Sequence, residues 1–342
     1  GWDVSRVRDM YAMFAGSHLA WRSPPRGSKP STAATPSFAD TLMDAALEYR
    51  FDGDISSWVT ASVTDMGRMF EGAVSFNGSL SHWNTSRVTS MLRMFVGART
   101  YSDDLSRWNV SSVLNMSRMF AEAEVFGTGG GGLGGWDVAR VIAMRGMFEG
   151  AVGFRANLSA WSTAQVTSMA DMFRDARSFD SPVDGWDVGR VKSMSGTFAY
   201  ADRFNHSLTR WNVARVESMC EMFLYALAFD QPLATWDTAS LLDLSRAFYG
   251  ASVFSQPIDA WNVSAVANFT GAFSHAGAFL ERQTLGGWAA RGYAPDDLLA
   301  QPNCTDACDG DPAYAIDGQC DDGGPAAAYS FCALGTDCTD CG

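Results

Sequence analysis

The sequence predicts a repeat solenoid in which each 25-residue coil supplies one short strand and one short helix, closed by a small disulfide-rich C-terminal module. Three observations carry that expectation. Trp58, Trp83 and Trp108 are 25 residues apart, as are Trp136, Trp161, Trp186, Trp211, Trp236 and Trp261. Apolar columns keep the same register, and six of the seven cysteines fall after residue 303. Self-similarity at a fixed period of this size is the mark of a repeat architecture.

The columns define the unit. A Val or Leu stands five residues after the Trp (Val63, Val88, Val113, Leu241), and a Phe twelve after it (Phe70, Phe95, Phe120, Phe173, Phe223). An aliphatic residue precedes the next Trp by three (Ile55, Leu80, Leu105, Leu158). Within 83–107, Met91, Met94, Phe95 and Ala98 follow the i, i+3, i+4, i+7 stripe of an amphipathic helix. Thr85 and Ser86 supply capping hydroxyls and Gly97 a stop. Leu105–Trp108 predicts a brief strand. Such a unit cannot bury its own apolar face, so stacking is required. Phe95, Phe120, Phe173, Phe223, Trp83, Trp108, Trp161 and Trp211 are therefore expected in a shared core, with each indole N–H needing a partner. A degenerate unit between Trp21 and Trp58, with Leu42, Tyr49, Phe51 and Ile55, would bring the total to about eleven coils. The first unit, beginning at Gly1 without a capping unit or signal peptide, would present Val7, Met10, Met13 and Phe14 as an apolar end. Such an end should be covered by upstream sequence or another subunit, including self-association end to end.

The repeat W-[DN]-x-S-x-V-x-x-M-x-x-M-F-x-x-A-x-x-F-N-x-x-[IL]-S-x-W is followed by Trp83-Asn84-Thr85-Ser86, Val88, Met91, Met94-Phe95, Ala98, Tyr101, Leu105-Ser106 and Trp108. It resembles the BspA-like leucine-rich-repeat surface proteins. The resemblance covers residues 1 to about 288 and implies a leucine-rich-repeat-like coil at a cell surface or in a secreted setting, with no reaction attached. Leu244 and Ala247 replace both Met positions of one unit, Thr197 replaces one, and 22–37 is a Pro/Ser/Thr-rich insertion. The chain thus divides into a solenoid (1–288), a linker (289–303) and a cysteine-rich module (304–342).

Charge and sequons bear on the setting. The net charge is −13, and residues 301–342 carry eight Asp with no Lys or Arg. That balance argues against a nucleic-acid partner, which needs a basic footprint, and no apolar run reaches membrane-spanning length. Nine N-x-[ST] sequons occur. Asn77, Asn157 and Asn205 are expected to carry glycans, whereas Asn84, Asn109 and Asn262 share a column with Asp137, Asp187 and Asp237 and are expected to cap turns. Cys304, Cys308, Cys320, Cys332, Cys338 and Cys341 read as three disulfides, because so short a segment needs staples. Together these indicate an extracellular or cell-surface glycoprotein. Cys220, beside Met219, reads as a small buried hydrophobe.

The stretches Tyr314–Asp322 and Gly335–Cys338 are similar to Notch-type cysteine-rich modules, which implies a calcium ion held among three disulfides. Independently, eight unpaired Asp in a small module would repel one another, and a hard cation relieves that repulsion. Asp317, Asp321, Asp322 and Asp337, with Gly neighbours, are the expected ligands.

Enzyme signatures are scarce. The four His form no H-E-x-x-H, and no Walker loop or G-x-S-x-G elbow occurs. Gly127–Gly132 spells G-x-G-x-x-G inside a lengthened repeat and reads as a surface loop. The expected function is a non-enzymatic structural or interaction protein, a subunit of a surface, fibre or matrix assembly that contacts other protein subunits and glycans. One alternative is an adhesin for a host or neighbour-cell protein or glycan. The other is a carbohydrate-active enzyme on a solenoid, which would need paired carboxylates.

Overall fold

A computed structural model describes residues 4–15, 51–129, 132–282 and 288. Nine parallel bridges link one residue per unit in series: Asp9, Asp65, Ser90, Asn115, Ala143, Ser168, Ser193, Ser218, Asp243 and Asn268. Each unit therefore lies directly on the next. The described residues hold ten such units. Asp9 pairs with Asp65 without an intervening unit. Phe14 stacks on Phe51 at 4.1 Å, just as Phe70 stacks on Phe76 at 4.2 Å within one coil. Residues 4–15 and 51–57 thus pack together as a single coil. Leu42 and Tyr49 lie outside the described residues.

The expected helix and strand of each coil are replaced by turns. Among the described residues the only helices are a 3-10 turn, Leu133–Gly135, and α1, Gly277–Arg282. In coil 83–107 the backbone alternates between two uses. The N–H groups of Met91, Arg93, Phe95 and Gly97 donate to the carbonyls of Asn115, Ser117, Met119 and Ala121 in the next coil, at 2.8–3.0 Å. Those of Met94, Val96 and Ala98 bond back three residues, to Met91, Arg93 and Phe95. An α-helix would spend all of these donors within itself. The alternation requires left-handed backbone at two positions per coil, such as Arg93 (φ 56) and Gly97 (φ 67). Each non-Gly residue there costs about 1–2 kcal/mol, which the coil-to-coil bonds offset. Leu105–Trp108 is likewise a turn, closed by Trp108 N–H to the Leu105 carbonyl at 3.0 Å.

The core lies along the stack. Phe95, Phe120 and Phe173 are fully buried, Phe223 is 1% exposed, and Trp83, Trp108, Trp161 and Trp211 are 3–4% exposed. Phe rings of adjacent coils stack 5.3–5.9 Å apart, from Phe70 through Phe95, Phe120, Phe148 and Phe173. The indole N–H reaches backward. Trp108 Nε1 donates to the Leu80 carbonyl at 2.9 Å, and Trp161 and Trp211 do the same to Leu133 and Val183. The partner is thus a carbonyl of the preceding coil, and the Asp or Asn after each Trp serves a different bond. The expected apolar N-terminal end is also corrected. Met10 and Phe14 are buried, at 1% and 4% exposure, and Val7 and Met13 pack partly buried against the core.

A second tie recurs two residues after the Trp. Thr85 Oγ1 donates to the Asn109 carbonyl at 2.9 Å, and Thr60, Thr163 and Thr238 make the same bond to the following coil. Val110, Val138, Val188 and Val213 fill that column elsewhere, equally buried. Thr85→Val should therefore fold normally and lower the unfolding free energy by only about 0.5–1.5 kcal/mol, the net worth of one hydrogen bond. Urea denaturation of the variant checks this; a loss above twice that range would mean the hydroxyl does more than tie two coils.

Candidate interaction faces

Three polar faces surround the core. The first carries the bridge residues. Their side chains bond forward two residues: Asp65 Oδ1 accepts from Gly67 N–H at 2.7 Å, Asn115 Oδ1 from Ser117 N–H, and Asp243 Oδ1 from Ser245 N–H. Beside them runs an exposed column that includes Leu114, Ile142 and Leu242. Cys220 belongs to this face. It is half-buried, off any helix, and its Sγ accepts from Ser245 Oγ at 3.2 Å. Burial, with Glu221 and Asp243 adding to it, pushes the thiol far above its ordinary range, so it is a poor nucleophile.

The second face is a ribbon of ion pairs beside the left-handed positions. Glu71 bridges Arg68 and Arg93, at 2.5 and 2.6 Å. Arg118 pairs with Glu149 through two bonds of 3.0 Å. Further along, Arg145 meets Asp171 at 3.2 Å, and Glu221 joins Arg174 at 2.8 Å to Arg246 at 2.5 Å. Arg174 and Glu221 are 47 residues apart in sequence, and their side chains are only 4% and 1% exposed. The arginine crosses the intervening coil at Gly196 (φ 60), where an added Cβ would collide with the Asp171 carboxylate and crowd the Arg174 guanidinium. The Tyr200 ring lies under the guanidinium, 5.9 Å away. Glu221 and Asp171 hold Arg174 well above its ordinary range against the cost of burial.

Glu122 is the carboxylate in this ribbon whose titration is most displaced. Burial, with Glu149 as a second cause, pushes it up from 4.5 to about 7. The sign follows from linkage. Between those values the unfolded chain gives up a proton that the folded one keeps, so Glu122 costs stability increasingly as pH rises from about 4.5 to about 7. Glu122→Gln should raise the unfolding free energy at pH 8 by about 3 kcal/mol and change it little at pH 4. Equal effects at both pH values would refute the assignment. Glu122 and Glu149 are close enough to influence each other's charge, as the paired acids of a glycosidase are. Glu149, however, is engaged on both oxygens by Arg118, and the two lie in a packed ribbon.

The third face comprises the turns that enter and leave each coil. Asn84, Asn109 and Asn262 cap the turns after their Trp as expected. In each, Oδ1 accepts from the backbone N–H and hydroxyl of the Ser two residues on, at 3.1 and 2.7–2.8 Å. Asn77, Asn157 and Asn205 are exposed. Asn77 Oδ1 accepts from Ser102 N–H at 3.0 Å, Asn205 Oδ1 from Asp230 N–H at 3.0 Å, and Asn157 Oδ1 from Ser159 N–H at 2.9 Å. Each amide is thereby oriented, with Nδ2, the atom a glycan would bond, on its other side. The lengthened repeat forms an open polar pocket with Ser102, Asp104, Ser106 and Thr128. Among the described residues the helical segment beside it is the three-residue 3-10 turn Leu133–Gly135, too short to supply the N-terminus of a dinucleotide site.

Cys304, Cys308, Cys320, Cys332, Cys338 and Cys341 lie outside the described residues, as do Asp317, Asp321, Asp322, Asp337, and the proposed linker. Among the described residues no three His, Cys, Asp or Glu side chains gather as a metal site, and no helix is long and apolar enough to cross a membrane.

Sequence reasoning missed the ion-pair ribbon. Its signal lay ten residues after each Trp, where Arg68, Arg93, Arg118 and Arg246, with the acids Asp171 and Glu221, share a column with Gly146, Gly196 and Gly271. Units that repeat one backbone path and bond each to the next define a tandem-repeat protein. Residues 39–131, 127–231 and 182–288 each match the family described as "Mycoplasma protein of unknown function, DUF285", and the chain belongs to that family. A comparison with curated proteins found no match.

Proposed function

We propose that the chain is a leucine-rich-repeat-like solenoid of the BspA-like type, acting as a non-enzymatic extracellular structural or interaction protein within a surface, fibre or matrix assembly. One observation carries this reading. The recurrent polar groups of the repeat are spent on joining coil to coil: the indole N–H, the Thr hydroxyl, alternate backbone amides and the buried Arg–Glu pairs. A chain so tied resists deformation and offers long, regular faces, which suits a scaffold. The exposed sequon amides of Asn77, Asn157 and Asn205 support a secreted route. The C-terminal module, with three disulfides and calcium at Asp317, Asp321, Asp322 and Asp337, would close the stack and supply a contact for protein subunits.

Protease shaving and surface biotinylation of intact cells test the setting. Protection of the chain in intact cells, with labelling only after lysis, would overturn it. Intact mass before and after deglycosylation reads the glycans, and six free thiols would remove the disulfides. Calcium should raise the module's protease resistance relative to excess chelator; no difference would remove the metal. Release of reducing sugar from polysaccharides by the purified chain would overturn the non-enzymatic assignment.

A further inference from the structure

Four residues after the Trp, the coils carry Arg6, Ser62, Arg87, Ser112, Arg140, Gln165, Arg190, Arg215, Ser240 and Ala265 in order. The five arginines are all exposed. From Arg6 to Arg190 they recur at every second coil. The serines of the column are tied down: Ser62, Ser112 and Ser240 donate to the carbonyls of Ser5, Ser86 and Ala214 in the preceding coil, at 2.7–2.9 Å. A serine here lies against the stack while an arginine stands off it. The one side-chain partner seen in the row is neutral, Gln165 accepting from Arg190 Nη1 at 2.6 Å. Asp137 and Asp187 share the turns of Arg140 and Arg190. Each aims its Oδ1 at a backbone N–H, of Ala139 and Gly189, and neither makes an ion pair with the arginine among the described contacts. Arg8 and Lys192 lie two residues further on, the latter paired with Glu217.

An acidic chain that sets five exposed arginines in one column, four of them on alternate coils, fits a linear anion. We infer that this row is a binding track for a linear polysaccharide bearing one carboxylate or sulfate per disaccharide. Spacing selects the ligand class. Coils joined by parallel bridges rise roughly 4.8 Å each, so alternate coils place the arginine backbones roughly 10 Å apart. That interval approximates two sugars of an extended chain. Duplex DNA presents a charge about every 1.7 Å of axis and needs a broad basic footprint, which one row on a protein of net charge −13 does not supply. Guanidinium forks suit carboxylate and sulfate oxygens. The inference goes beyond the scaffold role, because it assigns a partner to one edge of the stack.

The test is binding of the full chain to hyaluronan, which carries one carboxylate per disaccharide, with neutral dextran and duplex DNA as comparators. Arg140→Ser/Arg190→Ser uses the residue that other coils already hold in this column, so the coil retains its path. It should weaken hyaluronan binding at least threefold and lower the slope of log affinity against log salt by about two, one per cation removed. Arg155→Ser/Arg203→Ser removes the same charge from exposed positions off the row and should change affinity less than twofold. Absence of hyaluronan binding, equal losses in both variants, or tighter binding to DNA at the same salt would each overturn the inference. None of these results would disturb the surface-scaffold reading, which rests on where the chain resides in the cell.

Discussion

Replacing Phe173 by alanine is expected to lower the unfolding free energy by about 3–5 kcal/mol. The ring is fully buried and touches four others: Phe179 at 3.8 Å in its own coil, Phe148 and Phe198 at 5.7 Å on either side, and Trp186 at 6.1 Å. The hole cannot collapse, because backbone bonds fix the spacing of the neighbouring coils on both sides. Phe173 N–H donates to the Thr197 carbonyl at 3.0 Å, and Phe148 N–H to the Met172 carbonyl at 3.0 Å. Contacts run mainly between nearest coils, so the damage should concentrate at the joints flanking residue 173. Hydrogen exchange should quicken there and remain slow near Phe95. A uniform rise in exchange over the whole stack, or a loss under 1 kcal/mol, would contradict this account.

Glu221→Ala should cost a similar amount, about 3–5 kcal/mol, for an electrostatic reason. The substitution leaves Arg174 and Arg246 without the carboxylate they share. Arg174, at 4% exposure, keeps only Asp171, at 3.8 Å, as a charge partner among the described residues. A buried charge that loses its nearer partner is among the most damaging single changes available. Arg246, at 10%, can turn outward more easily, so Arg246→Ala should be milder than Arg174→Ala. Guanidinium denaturation of the three variants orders them. If Glu221→Ala falls within 1 kcal/mol of the parent, the pairs contribute nothing to the stack.

The period, the core columns and the burial of the Trp ladder were legible in the sequence. Phe and Trp recur at fixed offsets, and no other placement hides so much aromatic surface. The backbone path was not. Met91, Met94, Phe95 and Ala98 satisfy helical spacing and also satisfy a chain of turns that returns to the same side every three to four residues. What separates the two is the left-handed residue, and Gly72, Gly97, Gly150 and Gly250 (φ 66–71) mark that column plainly. Arg93, Glu122 and Tyr225 adopt the same conformation without any compositional mark. The ribbon was illegible for another reason: Arg174 meets Glu221 by passing over an entire coil, a pairing that no local spacing encodes.

That divided first coil bears on how such a chain can change. Phe14 and Phe51 close ranks across 36 intervening residues, in the same geometry that Phe70 and Phe76 reach across five. Ring contacts and coil-to-coil amides therefore set the register, and chain continuity within a coil is dispensable. The segment after the twelfth-position Phe is a natural docking port for foreign sequence. A peptide epitope, an affinity handle or a whole small domain could enter at the equivalent point of a middle coil, between Phe173 and Phe179, with the entropic penalty growing only slowly with its length. Lineages carrying this repeat could gain new surface modules by insertion while every neighbouring coil stays in step.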